Sequence, residues 1–281
     1  MTPNDTTEPL LGRLVVYGFA ALLAFLCGFP LLWMVLTSIK PDREILTAIP
    51  TFWTSQPTLG AYARLFSETN FLTYFWNSIF VAGCATLLTI VVATLAAYGI
   101  TRFRFRGRET IAGTMLFTYM FAPIMIVVPF YILMRGAGLT NSHLGLILAY
   151  TTFSLPFSMW MLRSFFQSIP LELEEAAMID GASRPKAVRL IIVPLALPGV
   201  IAVLIFTFIV AWNDYLFARV LIGTDNLKTL PVGIQDLYES TITDWGMVMA
   251  AGVMITIPAL LFFLAVQRYL IAGWGTGGVK G

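Results

Sequence analysis

Apolar positions along the chain gather into six long runs, at residues 14–39, 74–100, 110–134, 144–162, 195–218 and 247–266. Each is nineteen residues or longer, enough for a helix rising 1.5 Å per residue to cross the roughly 30 Å hydrocarbon layer. The pattern predicts an all-α membrane protein with six transmembrane helices. The stretches between the runs are polar. Residues 40–70 are mixed, with Pro50, Pro57, Phe52, Trp53, Tyr62 and Phe66. Arg102-Phe103-Arg104-Phe105-Arg106-Gly107-Arg108 carries four arginines in seven residues. Residues 163–194 and 223–245 are the other long interruptions. The expected division is a tail at 1–13, a first transmembrane helix and exported segment at 14–72, a transmembrane domain at 73–270, and a tail at 271–281.

Composition fits that class. Hydrophobic residues are 58% of the 281-residue chain and charged residues 11%, against roughly 25% charged in soluble domains. A net charge of +2 gives no reason to expect a nucleic acid partner. Cys27 and Cys84 fall inside apolar runs and read as packing residues, and no Cys/His spacing suggests a metal. The first run lacks a small-residue cleavage site and reads as a retained span. Six spans put both termini on one side. With the termini, the arginine cluster and residues 163–194 inside, eleven of the seventeen Lys and Arg residues face inward and six outward. That bias predicts cytoplasmic N- and C-terminal tails and a periplasmic 40–70 segment.

The chemistry that is missing is informative. No GxxxxGK[ST] phosphate loop occurs, so ATP is not expected to bind this chain in that way. The single histidine, His143, reads as a solvated loop residue. The only ionisable group well inside a span is Asp214, with Arg219 near that span's end. A proton-coupled carrier normally needs a relay of such groups. A passive channel is not excluded on this count.

The stretch Ser168–Ser183 holds four acids (Glu172, Glu174, Glu175, Asp180) and no base, between two spans. Pro170 suits a helix's first turn, and Glu172 and Glu174 lie near the positive end of its dipole. Gly181 is placed as the left-handed residue that ends the helix. Ser183 is placed to cap a second one, with Pro185 in its first turn. An ordinary amphipathic loop helix and a docking helix both fit these features.

Glu175-Ala176-Ala177, then Gly181, then Ile191-Ile192-Val193-Pro194, resembles the EAA signature of permease subunits of bacterial ABC importers. Val193 stands where the family usually has Leu. The wider chain is similar to the second, six-span permease of the carbohydrate (maltose-permease-type) branch. The similarity runs through Pro30-Leu31-Leu32-Trp33, Ser38-Ile39-Lys40, Asn77-Ser78, Ala97-Tyr98, Arg102 and Phe105-Arg106-Gly107-Arg108. It continues through Ile169-Pro170, Ile179-Asp180-Gly181, Trp212-Asn213-Asp214 and Gly277-Gly278-Val279-Lys280-Gly281, with Gly278 where Ala is commoner.

The resemblance implies a non-catalytic permease subunit in a bacterial inner membrane. Its implied partners are a second permease (a heterodimer), two cytoplasmic ABC ATPases carrying ATP and Mg, and a periplasmic or lipid-anchored solute-binding protein. The implied cargo is a sugar-like solute. The resemblance places ATPase coupling on a cytoplasmic coupling helix between spans four and five, at Leu171, Glu174, Glu175, Ala176, Ala177, Met178, Asp180 and Gly181. It places a second ATPase contact at Gly277–Gly281. Trp212, Asn213, Asp214, Asn77 and Ser78 are candidates for the solute path; Asn213 and Asp214 read equally as ties between helices, and Asn77 and Ser78 more readily as helix-start or packing residues. A permease for glycerol phosphate or another polyol derivative fits the same signatures. A self-sufficient channel or secondary carrier is the third reading.

Overall fold

The computed structural model describes residues 10–47 and 49–275, and every regular element among them is helical. In chain order they are α1 (Leu10–Ser38), α2 (Asp42–Ile45), α3 (Gly60–Glu68), α4 (Phe71–Arg102), α5 (Arg108–Tyr119), α6 (Pro123–Gly136) and α7 (His143–Ser168). Next come α8 (Leu171–Ile179), α9 (Arg184–Ala187), a π turn (Val188–Ile192), α10 (Val193–Leu195) and α11 (Leu197–Asn213). The last are α12 (Leu216–Leu221), a 3-10 turn (Asp225–Leu227), α13 (Leu230–Tyr238) and α14 (Trp245–Gly275).

Among the described residues, four helices are single pieces long and apolar enough to cross a membrane: Leu14–Ser38, Phe71–Arg102, His143–Ser168 and Trp245–Ala265. The third and fifth expected spans are broken instead. α5 and α6 meet at 103°, and Arg184–Leu195 meets α11 at 77°. Proline explains the first break. Ala122, before Pro123, is extended (φ −62°, ψ 129°), because the proline ring disfavours helical backbone one residue earlier. Pro129 and Pro156 sit within helices that continue past them. The second break falls at Ala196, between Pro194 and Pro198. The fifth apolar run also stops short, because Asp214 turns extended after Asn213 and α12 begins separately.

The chain forms two compact units, one from the chain up to Thr69 with Leu237–Met254, the other from Asn70–Asp236 and the chain from Ile255 on. In the first, Arg64 on α3 reaches both Asp42 at 2.9 Å and Asp244 at 2.8 Å. Asp244 also accepts the Met247 N–H and so caps α14. Lys40 is buried; its ammonium donates to the Thr51 carbonyl and lies 4.7 Å from the Trp33 ring centre.

The second unit is built on α4, which packs most extensively against α7 and then α11. Ala85, Ala93 and Ala97 are fully buried on α4, and such small side chains let apolar helices approach closely. Met159, Leu162 and Phe166 of α7 and Val203 of α11 fill the same core. Large apolar side chains such as Leu87, Leu95 and Trp76 point outward from it, as lipid-facing residues do.

Gly199 on α11 is a point of close helix–helix packing. A Cβ there would lie 2.4 Å from the Phe165 ring, whereas at Gly113 on α5 it would meet nothing within 4 Å. Gly199→Ala is therefore expected to cost about 1–3 kcal/mol through overpacking. Gly113→Ala should be neutral or stabilising. Thermal unfolding of the detergent-solubilised variants reads the difference; equal midpoints would contradict it.

Candidate functional site

α7 ends where Ile169 and Pro170 turn extended, and α8 starts at Leu171 with Glu172 and Glu174 in its first turn. Its far end closes as a Schellman motif. The Ala182 N–H bonds the Ala177 carbonyl at 2.9 Å and the Gly181 N–H bonds the Met178 carbonyl at 3.1 Å. Gly181 takes φ +88° to do so, the conformation a Cβ disfavours. Ser183 stands at the start of α9, but its side chain makes no capping bond. A π turn and Pro194 follow. Proline lacks the N–H that the ordinary helical ladder would use, and the Val193 N–H reaches back five residues to Val188.

α8 is mostly exposed. Leu171 and Leu173 are 42% and 43% exposed and Ile179 is 86% exposed. Glu175, Ala176, Asp180 and Gly181 are exposed too, with Ala177 and Met178 half-buried. Apolar side chains at the rim of an acidic surface form a face suited to a protein partner.

Glu174 behaves differently from the residues grouped with it by sequence. It is 1% exposed and is the one buried residue of α8. The Tyr98 hydroxyl donates to its Oε1. Arg102 Nε lies 3.2 Å from its Oε2, in charge contact but without the alignment of a hydrogen bond. The same guanidinium donates through Nη2 to the Ile169 carbonyl at 3.0 Å. Glu174 thus faces inward, toward α4, where a docking partner has no access. Residues 277–281, the other expected contact, lie outside the described residues.

The candidate path residues all have structural partners. Trp212 is buried and donates from Nε1 to the Ile255 carbonyl at 3.2 Å. Asn213 is exposed and bonds back to the Ile209 carbonyl of its own helix. Asp214 Oδ2 accepts the N–H groups of Phe217 and Ala218 and the Tyr150 hydroxyl, at 3.0–3.1 Å. It caps α12 and ties it to α7.

Asn77 donates to the Asn226 and Lys228 carbonyls, both at 2.9 Å, and Ser78 Oγ accepts the Leu230 N–H at 2.7 Å. They hold a polar lattice around residues 223–230. Asn70 and Tyr74 bond Asp225 there. Asn141, at φ +52°, accepts the N–H groups of Gly223 and Thr224. His143 belongs to this lattice. It begins α7, half-buried, and donates to the Leu227 carbonyl at 3.1 Å, so it is not a freely solvated loop residue. The hydrogen bond from Lys228, then that from Asn70, holds the Asp225 carboxyl below its ordinary value of 3.8.

Sequence reasoning did not single out the hollow at the α5–α6 elbow. It encloses about 720 Å³, lined by Tyr119, Phe121, Phe153 and Phe206 with Thr118, Thr151 and Thr152. The Thr151 hydroxyl is buried with no hydrogen-bond partner among the described residues. Pro123 was the available signal, since the elbow opens immediately before it.

The family described as binding-protein-dependent transport system inner membrane component matches residues 85–274. The inner membrane ABC transporter permease protein YcjP of Escherichia coli (strain K12) is 36% identical over 278 residues, 98% of this chain and 99% of that protein. The trehalose/maltose transport system permease protein MalG of Thermococcus litoralis is also 36% identical over 278 residues, with the same coverage of 98% and 99%. Among solved structures, a chain of a bacterial ABC transporter involved in import of the acidic polysaccharide alginate has a TM-score of 0.83 at 24% identity. It covers 95% of this chain and 99% of that one. At that identity the likeness is one of fold.

Two outcomes are expected. Gly181→Ala should loosen the α8 terminus by about 1 kcal/mol, seen as faster proteolysis between α8 and α9, with Gly181→Asn less affected. For Asp225, a folded pKa below the unfolded one means its stabilisation is complete above pH 3.8. That stabilisation is lost as pH falls through the depressed value. Lys228→Met raises that folded value, so hydrogen exchange at residues 223–229 should accelerate at a higher pH than in the unsubstituted protein.

Proposed function

The chain belongs to the family of binding-protein-dependent transport system inner membrane components, and we propose that it is one of two permeases in an ATP-driven importer of a sugar or oligosaccharide. The exposed face of α8 carries this reading. It is a Schellman-terminated helix presenting Leu171, Leu173, Glu175, Ala176 and Ile179, which the other described residues leave exposed. In this reading ATPase subunits holding ATP and Mg seat that face in a cleft. The Gly277–Gly281 tail makes a second contact. Six spans, two of them bent, leave both termini in the cytoplasm. A periplasmic binding protein delivers solute from the other side, and a sister permease supplies the other half of the path.

ATP-driven closure of the ATPases favours one arrangement of docked helices over another, and the spans follow. Support for a sugar as cargo comes from the relative named for trehalose and maltose. The elbow hollow joins aromatic faces to threonine hydroxyls, a combination that suits a sugar ring.

The test uses the complete importer in proteoliposomes loaded with ATP. Ala176→Glu adds a charge to the exposed face without touching the core. It should abolish ATPase co-purification and lower ATP-dependent sugar uptake more than tenfold. Undiminished uptake, or uptake by this chain without an ATPase, would overturn the reading in favour of a channel or secondary carrier.

A further inference from the structure

α8 is attached to the bundle by charge where a helix ordinarily uses apolar packing. Its single buried side chain is Glu174, while Leu171 and Leu173 are left outside. Both of Glu174's side-chain partners lie on α4. Tyr98 and Arg102 are four residues apart, hence on one face, and they take one carboxylate oxygen each. Arg102 adds the Ile169 carbonyl at the end of α7. A buried charged contact has direction and register, whereas apolar surfaces can slide over one another. Once one partner of such a pair moves, the other either follows or is left as an unpaired buried charge, the costlier state. α4 carries the matter further: its opposite end holds the 223–230 lattice through Tyr74, Asn77 and Ser78.

We propose that the Tyr98–Arg102–Glu174 cluster is a rigid link that makes α8 and α4 move as one body, so that displacement of α8 becomes displacement of the membrane bundle. Glu174 is then a positioning residue for coupling and not part of the docking face beside it. This rests on the reading that α8 is the ATPase contact.

The experiment takes the complete importer in proteoliposomes and measures ATP hydrolysed per solute imported. Glu174→Gln keeps the side-chain shape and an acceptor for Tyr98 but removes the charge facing Arg102. The ATPases should still co-purify, and the ratio should rise at least tenfold. Arg102→Gln should do the same. The double variant should be no worse than either single one, because both remove one contact. Glu174→Asp, which keeps the charge, should restore part of the coupling. A drop in thermal stability with an unchanged ratio would reduce the cluster to a structural role and overturn the proposal. Loss of ATPase co-purification in Glu174→Gln would also overturn it, by placing Glu174 in the docking contact. Failure of the parent reading is distinguishable, since no ATPase would then co-purify with the unsubstituted protein.

Spin labels at Ile179→Cys and Leu95→Cys, with Cys27 and Cys84 replaced, give a measurement independent of whether the Glu174 variants assemble. The distance between α8 and α4 should stay constant to within about 1 Å between nucleotide-free and ATP-bound states, since a rigid body keeps its internal spacing while helices shift by such amounts elsewhere. A change of several ångströms would show the two helices moving separately.

Discussion

A carboxylate and a guanidinium withdrawn from water must remain together, because either one alone is far less stable in that setting than the pair. The Glu174–Arg102 contact imposes this on the second unit. It fixes where α8 stands on α4, which face of α8 is turned out, and where the chain must pass between α7 and α8. The exposed leucines and the Ala176 surface follow from it. A helix of nine residues has too little apolar surface to anchor itself while offering the same surface elsewhere. One buried acid resolves the conflict by leaving the rest free.

The same economy recurs at the other polar positions. Asp214, Asn77, Asn141 and His143 each satisfy backbone groups where helices stop. In an apolar environment an unpaired N–H or carbonyl costs several kcal/mol, so a broken span needs such residues at its break. The step at Asp214 is where this exchange of ladder bonds for side-chain bonds is clearest. Thr151 beside the hollow is one of several buried hydroxyls, Thr86, Thr89 and Ser154 among them, with no hydrogen-bond partner among the described residues.

Much of this was legible beforehand. Run lengths alone locate α1, α4, α7 and α14, because their apolar stretches are uninterrupted by any competing signal. Gly181 announced the end of α8, since only glycine takes a left-handed residue without strain. The bends were not legible from hydropathy, which averages over a window and cannot distinguish a straight span from two helices at 103°. Proline at 123, 129 and 156 gave one signal with different outcomes. Glu174 and Glu175 defeat sequence reasoning for another reason. They are chemically alike and adjacent, but one residue of helix turns the side chain by about 100°. Which acid faces inward depends on Tyr98 and Arg102, more than seventy positions earlier. Asp214 is the opposite case: an acid three residues before the Phe217 N–H is a capping signal, hidden here inside an apolar run.

α4 has one more consequence, and it is geometric. Polar contacts grip it at both ends while alanines line its buried middle. A beam held that way cannot slide along its axis; it can only tilt. Its 32 residues span about 48 Å at 1.5 Å per residue. A tilt of about 5° therefore carries one end roughly 4 Å past the other, so a small rotation at the α8 end is a side chain's width of travel at residues 223–230.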